Sequence, residues 1–286
     1  MKNRRRKKSR FTETWRRLKK NRLAMVGLAI IIFLILSAVL APILAPYDPA
    51  AQDLMNSLQY PGSSHWMGSD NYGRDIFSRI IYGGRISLLV ATMSVAIGLV
   101  LGGLLGSTAA FFGGVYENII MRAMDILLAI PPFLLAISIS ASIGSGVMNT
   151  AIAIGIATCP SFARVIRASI LSLREEEYVE AAILCGLSKF KIILKHLIPN
   201  SMAPIIVQAT LRIGDAILSI ASLSFIGLGV QPPTPEWGSM LNYGREFIRT
   251  FWPICTFPGV AIVITMIAFN VLGDGLRDAL DPRLKQ

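Results

Sequence analysis

Charge is what this sequence is short of. Only 16% of its 286 residues are Asp, Glu, Lys or Arg, against roughly 25% in an ordinary soluble domain. Hydrophobic residues make up 53%, and mean hydropathy is +0.57. The shortage is concentrated in long runs. No charge occurs over the 23 residues from Leu23 to Ala45, the 31 from Ile86 to Tyr116, the 38 from Ile126 to Ala163, or the 24 from Thr250 to Gly273. A helix needs roughly 20 apolar residues to cross the hydrocarbon core, whereas buried helices of soluble proteins show runs of about 10–14. Run length therefore excludes a soluble globular chain and points to an all-α integral membrane protein.

Other shortages narrow the chemistry. Histidine occurs twice, at His65 and His196. The topology derived below puts them on opposite faces of the membrane, so they cannot share a metal or acid–base site. That removes the basis for a membrane enzyme, and no catalytic or metal-ligating set is assigned. The three cysteines, Cys159, Cys185 and Cys255, are far apart, with neither pairing nor metal spacing. They read as small, inert residues. No G-x-x-x-x-G-K-[ST] occurs, so the chain itself should not hold ATP phosphates and carries no cofactor of its own. No internal repeat is visible. An ion-coupled secondary transporter, the alternative transport reading, usually has related halves and broken helices at the midplane.

Positive charge is present in excess, with a net +11. Twelve of the 28 Lys and Arg lie within residues 1–22 and stop at the first apolar run. That is a basic tail beside a membrane span rather than a nucleic-acid patch, and no DNA- or RNA-binding motif accompanies it. The apolar stretch 23–45 is too long, and its basic flank too extended, for a cleaved signal peptide, so it is expected to remain as a helix.

The expected helices are 23–45, 86–110, 119–143, 147–167, 201–225 and 254–276. The longest uncharged run divides at Gly144-Ser145-Gly146. Pro131-Pro132 should kink or start the third helix. With the N-terminus inside, 22 Lys and Arg fall on the inner side, including Arg122, Arg164, Arg167, Arg174, Lys189, Lys191, Lys195, Arg277, Arg283 and Lys285. Five fall outside: Arg74, Arg79, Arg85, Arg245 and Arg249. The positive-inside rule then places both termini in the cytoplasm. The organisation is a basic cytoplasmic tail (1–22), a first helix with an extracytoplasmic segment (23–84), and a five-helix core (85–286) with a long cytoplasmic loop at 168–200. In the second helix, Ser94, Gly98, Gly102, Gly106 and Ala110 recur every fourth position, a stripe suited to close helix packing.

The loop 168–200 is longer than a connection needs. Ser172 and Glu175 fit a capping box that starts a helix. Glutamates follow in its first turn, where the helix dipole favours them. Gly186 suits the position just past a helix end. Ser188 can cap a second short helix, which Pro199 ends. An ordered, charged, amphipathic loop suits a cytoplasmic partner; a helix lying on lipid headgroups is the other reading.

Glu180-Ala181-Ala182, then Gly186, then His196-Leu197-Ile198-Pro199 resembles the EAA loop of bacterial ATP-binding cassette importer permeases. The usual Ile-x-Leu-Pro ending has His196 and Ile198 here, with the spacing intact. Further motifs extend the resemblance over roughly residues 23–285. These are Ala45-Pro46-Tyr47-Asp48-Pro49, His65 to Asp70 with Ser69 where Thr is more usual, and Gly73-Arg74-Asp75. Tyr82 to Ser87, Leu223 to Pro233, Trp237-Gly238 and Gly273 to Arg283 complete the set. The set is similar to the C-type permease subunit of the dipeptide, oligopeptide and nickel importer group.

The resemblance implies a type I importer permease fold and transport of peptides, nickel or a metal chelate. It implies a heterodimer with a second permease subunit, two cytoplasmic ATPase subunits that bind ATP and Mg, and an extracytoplasmic solute-binding protein. By the same resemblance the loop is a coupling helix docked on the ATPase, with Glu180, Ala181, Ala182, Gly186 and Pro199 as docking positions. Arg212 and Asp215 lie one turn apart in the fifth helix. They either pair with each other or line the translocation path and hold a peptide terminus. Asp125 is open to the same two readings. Trp66, Trp237 and Trp252 either meet the solute-binding protein or anchor at the interface.

Overall fold

The computed structural model describes residues 10–280. The first nine residues of the basic tail lie outside this range, as do the terminal Asp281-Pro282, Arg283 and Lys285. All regular structure among the described residues is helical, apart from one isolated bridge between Ser69 and Asp75.

Helix α1, Arg10–Leu18, lies in the basic tail. Its Leu18 is buried. Helix α2, Arg22–Val39, starts at Asn21, whose side chain accepts from the Ala24 N–H at 3.1 Å. Helix α3, Ile76–Phe112, is 37 residues long, roughly 55 Å at 1.5 Å per residue. It begins ten residues earlier than the uncharged run suggested, because Asp75 caps it by accepting from Ser78 N at 2.7 Å. Arg79 and Arg85 therefore sit in the helix, not in an outer loop.

Helices α4, Gly114–Ala129, and α5, Pro132–Ile143, replace the single third span at 119–143. They meet at 92°. Pro131 forces Ile130 out of the helical region, to φ −89° and ψ 128°, and Pro132 offers no N–H to continue the ladder. Helix α6, Val147–Arg174, begins where expected, after Gly144 and Gly146 at φ 88° and 133°. Helix α7 is Glu177–Leu184. Residues 189–200 form α8, which contains a π-helical turn at Ile193–Leu197. Helix α9 is Met202–Phe225, α10 is Trp237–Gly244, and α11 is Pro253–Leu280.

Five of these, α2, α3, α6, α9 and α11, are long and apolar enough to cross a bilayer, and the bent pair α4–α5 makes six if counted as one broken span. The tightest packing joins α3 to α6. Ser94, Gly98, Gly102, Gly106 and Ala110 are all buried there. A Cβ on Gly102 would collide with the Cys159 carbonyl, and one on Gly106 with the Ala163 carbonyl. The expected small-residue stripe is thus a backbone-to-backbone seam.

Candidate coupling loop and solute path

The loop grows directly out of α6. That helix runs on through Ser172 to Arg174, so the expected capping box at Ser172 and Glu175 does not form. Ser172 donates instead to the Ser169 carbonyl at 2.8 Å. The α6 ladder, continuing past Ser172 to Arg174, outcompetes the local cap. The chain turns at Glu176, in extended conformation, and α7 starts with Glu177 and Glu180 in its first turn, where the dipole favours acids.

Gly186 closes α7 at φ 73°. Its N–H donates to Ile183 O at 2.9 Å, and Leu187 N–H to Ala182 O at 3.2 Å. This is the paired Schellman arrangement, which needs the left-handed residue that glycine supplies. Val179 and Ala182 face the bundle and are buried, while Glu180, Ala181 and Gly186 face outward. Beside them Ile183 is 53% and Leu184 88% exposed. A large apolar tip rimmed by acids is an unusual thing to leave in water, and such patches mark interaction sites. Glu180, Ala181 and Gly186 are thus brought together on one surface, Ala182 supports them from behind, and Pro199 stands apart, 13 residues beyond Gly186.

Two expectations for α8 fail. Ser188 occupies the cap position but its side chain makes no capping bond. Pro199 does not end a helix. The π turn donates Ile198 N–H to Ile193 O, and Pro199 sits in the first turn of the segment that follows, where its missing N–H costs nothing. Ser201 then joins α8 to α9, donating from both N–H and Oγ to Leu197 O.

Ion pairs fasten the stem of the loop. Arg164 of α6 donates to Asp125 of α4 at 2.7 Å, and Arg167 to Glu117 at 2.6 Å. Arg174 reaches the last turn of α3, donating to the Ala110 carbonyl at 3.0 Å. Asp125 is therefore a partner within the chain.

Arg212 and Asp215 do pair, at 3.1 Å, near the middle of α9. The pair is not enclosed: the side chains are 28% and 55% exposed. Gln208, Ser219 and Ser222 continue the same face at helical spacing, all partly exposed. Charges at mid-span face a protein neighbour or water rather than lipid.

Residues 98–286 match the family described as binding-protein-dependent transport system inner membrane component, and residues 9–61 match the N-terminal transmembrane domain of oligopeptide transport permease C. The chain belongs to this permease family. It is 48% identical over 275 residues to the dipeptide transport system permease protein DppC of Alkalihalophilus pseudofirmus, spanning 96% of this chain and 90% of that protein. It is 45% identical over 274 residues to the glutathione transport system permease protein GsiD of Escherichia coli, with the same coverage. Among solved structures, the inward facing MetNI methionine ABC transporter matches with TM-score 0.55 and 17% identity, over 71% of this chain and 96% of that one. That likeness concerns the fold. The protein is thus a multi-pass permease subunit of an ABC importer, with the importer permease fold.

Away from the loop, two polar knots hold residues whose roles sequence reasoning missed. Trp237 is buried, and its Nε1 donates to the Ile80 carbonyl at 2.9 Å, against Gly83 and Gly84. It neither anchors at the interface nor meets a partner, whereas Trp66 and Trp252 are exposed. Next to it Glu236 caps α10, accepting from Gly238 N at 2.9 Å, Ser239 N at 2.8 Å and Ser87 Oγ of α3 at 3.2 Å. Burial pushes its carboxyl above the usual value, and hydrogen bonds from Gly238, Ser239, Ser224 and Ser87 pull it back. A second knot lies in the segment before α3. There Asp70 accepts from Arg74 Nε at 2.7 Å, Arg79 donates to Pro49 O at 2.7 Å, and Asp75 meets His65 Nδ1 at 2.9 Å. The sequence signal for both was acidic residues close to Gly and Trp.

Proposed function

We propose that this permease carries short peptides or peptide-like solutes into the cell as one half of a heterodimeric pore, with both termini in the cytoplasm. Its relatives named for dipeptides and for glutathione, itself a small peptide, support that solute class over nickel or a metal chelate. The second half is another permease subunit. Two cytoplasmic ATPase subunits hold the ATP and Mg, and an extracytoplasmic solute-binding protein delivers the cargo. Arg212 and Asp215, with the polar face they share, line the path.

The observation that carries the reading is the projecting α7. Its ends are fixed by a turn at Glu176 and the Schellman bend at Gly186, and its tip offers Ile183 and Leu184 to a partner. Glu180, Ala181, Ala182 and Gly186 form the docking element, and Pro199 positions the helix that returns to the membrane. ATP-driven closure of the ATPase pair moves this element as a rigid body.

The test is co-purification from the assembled transporter. Wild type should retain the ATPase subunits. Glu180→Lys, which reverses a charge on the exposed face, and Gly186→Asp, which strains the left-handed bend, should lose them while inserting normally. Normal ATPase retention and transport in both variants would sink the docking reading.

A further inference from the structure

An apolar groove of about 290 Å³ separates α3 from α8. Leu99, Gly103 and Leu104 form one wall, Ile166 of α6 the floor, and Phe190 and Leu194 the other wall. It is open to the outside of the protomer: Leu104, Phe190 and Leu194 are each about half exposed, at 50%, 55% and 51%. The π turn helps make the second wall, since both Ile193 and Leu194 line the groove, although successive residues of an α-helix point about 100° apart. Such turns recur at functional sites.

Two observations say what occupies it. The only polar lining residues are Ser107 and Thr108, and both hydroxyls are engaged with the Leu104 carbonyl of their own helix. A polypeptide segment laid here would leave main-chain polar groups without partners, at a cost. A hydrocarbon chain would not. The segment that forms this wall is cationic: Lys189, Lys191 and Lys195 alternate in sequence with Phe190, Ile193 and Leu194, are exposed, and form no ion pair among the described residues. Lys189 Nζ stands 5.2 Å from the ring centre of Phe112, the last residue of α3, one turn beyond Thr108. The apolar groove is therefore walled on one side by a segment that carries three exposed lysines, one of them beside the last residue of α3.

We propose that this groove binds an anionic phospholipid, one acyl chain lying between Gly103 and Leu194 and the phosphate held by Lys189, Lys191 and Lys195. Basic pockets between spans at the cytoplasmic face suit such headgroups. The site rests on the orientation proposed above, which puts α8 on the cytoplasmic side. Bound lipid would brace α8, the return arm of the coupling loop, against α3.

The complete transporter would be purified in mild detergent and incubated with phosphatidylglycerol or phosphatidylcholine, and bound lipid counted by native mass spectrometry. The expected result is retained phosphatidylglycerol with roughly tenfold preference over phosphatidylcholine. Gly103→Leu should fill the groove and lower retention about tenfold. The fold should accept it, because a Cβ there meets only Ile166 Cδ1, at 3.6 Å. The triple variant Lys189→Gln, Lys191→Gln, Lys195→Gln should keep lipid but lose the preference for the anionic headgroup. Glu180→Lys, which should release the ATPase, should leave the lipid count unchanged, so that failure of docking and failure of the lipid site are read separately. Retention indifferent to both groove and lysine variants would overturn the site. So would a photo-crosslinking residue at Leu104 that captures the second permease chain instead of lipid.

Discussion

The α3–α6 seam and the coupling loop both depend on glycine, for opposite reasons. In the seam, Gly102 and Gly106 are buried because another backbone occupies the space where a side chain would stand. At the loop, Gly186 has nothing within 4 Å of an added Cβ, and what it supplies is φ 73°. The seam is complete within one chain. The loop is complete in its hydrogen bonds and incomplete in its burial, since Ile183 and Leu184 face outward. A seam defect should therefore appear as lost folding, a loop defect as lost partnership.

The sharpest way to break this contrast is Gly106→Leu. It drives a side chain into the Ala163 carbonyl and should cost about 3 kcal/mol or more, read as failure to recover inserted protein. Glu236→Ala comes next. It strips a cap and leaves Gly238 N–H, Ser239 N–H and Ser87 Oγ without their acceptor, which should cost about 1–3 kcal/mol in thermal unfolding. Glu236→Gln retains an acceptor and should lose less. It should also flatten a pH slope. Because burial raises the Glu236 carboxyl above 4.5, its site binds a proton more readily in the folded chain than in the unfolded one, so this group's contribution to stability is greatest at low pH. It falls as pH rises from 4.5 toward the folded value. A slope as steep in Glu236→Gln as in wild type would assign it to another group.

Smaller stability effects belong to the loop. Gly186→Ala should cost about 1 kcal/mol, the strain of a left-handed alanine, yet lose most coupled transport in reconstituted vesicles. Leu184→Ser should change the unfolding midpoint by less than the equivalent of about 0.5 kcal/mol while weakening ATPase retention. If Leu184→Ser destabilised the isolated chain as much as Gly106→Leu, the division between the two regions would collapse.

Much of the seam was legible because periodicity reports it: Ser94 to Ala110 at every fourth position can serve only one helix face. The Gly144–Gly146 break was legible for the same local reason. The family motif also fixed where the loop bends. Four things were not. Ser172 looked like a cap because capping rules are local, and the continuing hydrogen bonds of α6 overrode them. Pro131-Pro132 announced a break but not the 92° between α4 and α5, since that angle depends on what each helix packs against. Trp237 was open to partner contact or interfacial anchoring, and Glu236 drew no reading, because nothing nearby in sequence reveals Ile80 or Ser87, roughly 150 positions away and in contact. The pairing of Arg212 with Asp215 followed from spacing, but their exposure to the outside of the protomer did not.

Helix α6 is a single rod from Val147 to Arg174. At one end Gly146 N–H is bonded to the Gly229 carbonyl at 3.1 Å, and at the other it becomes the stem of the loop that carries α7. A 28-residue rod is about 42 Å long, so a tilt of only about 5° about one end sweeps the other through about 4 Å. Pro160 is the one residue inside it that cannot donate to the helical ladder, so if α7 docks as proposed, a push on Glu180 would reach the far membrane face as a tilt of this helix, bent at most at that one place.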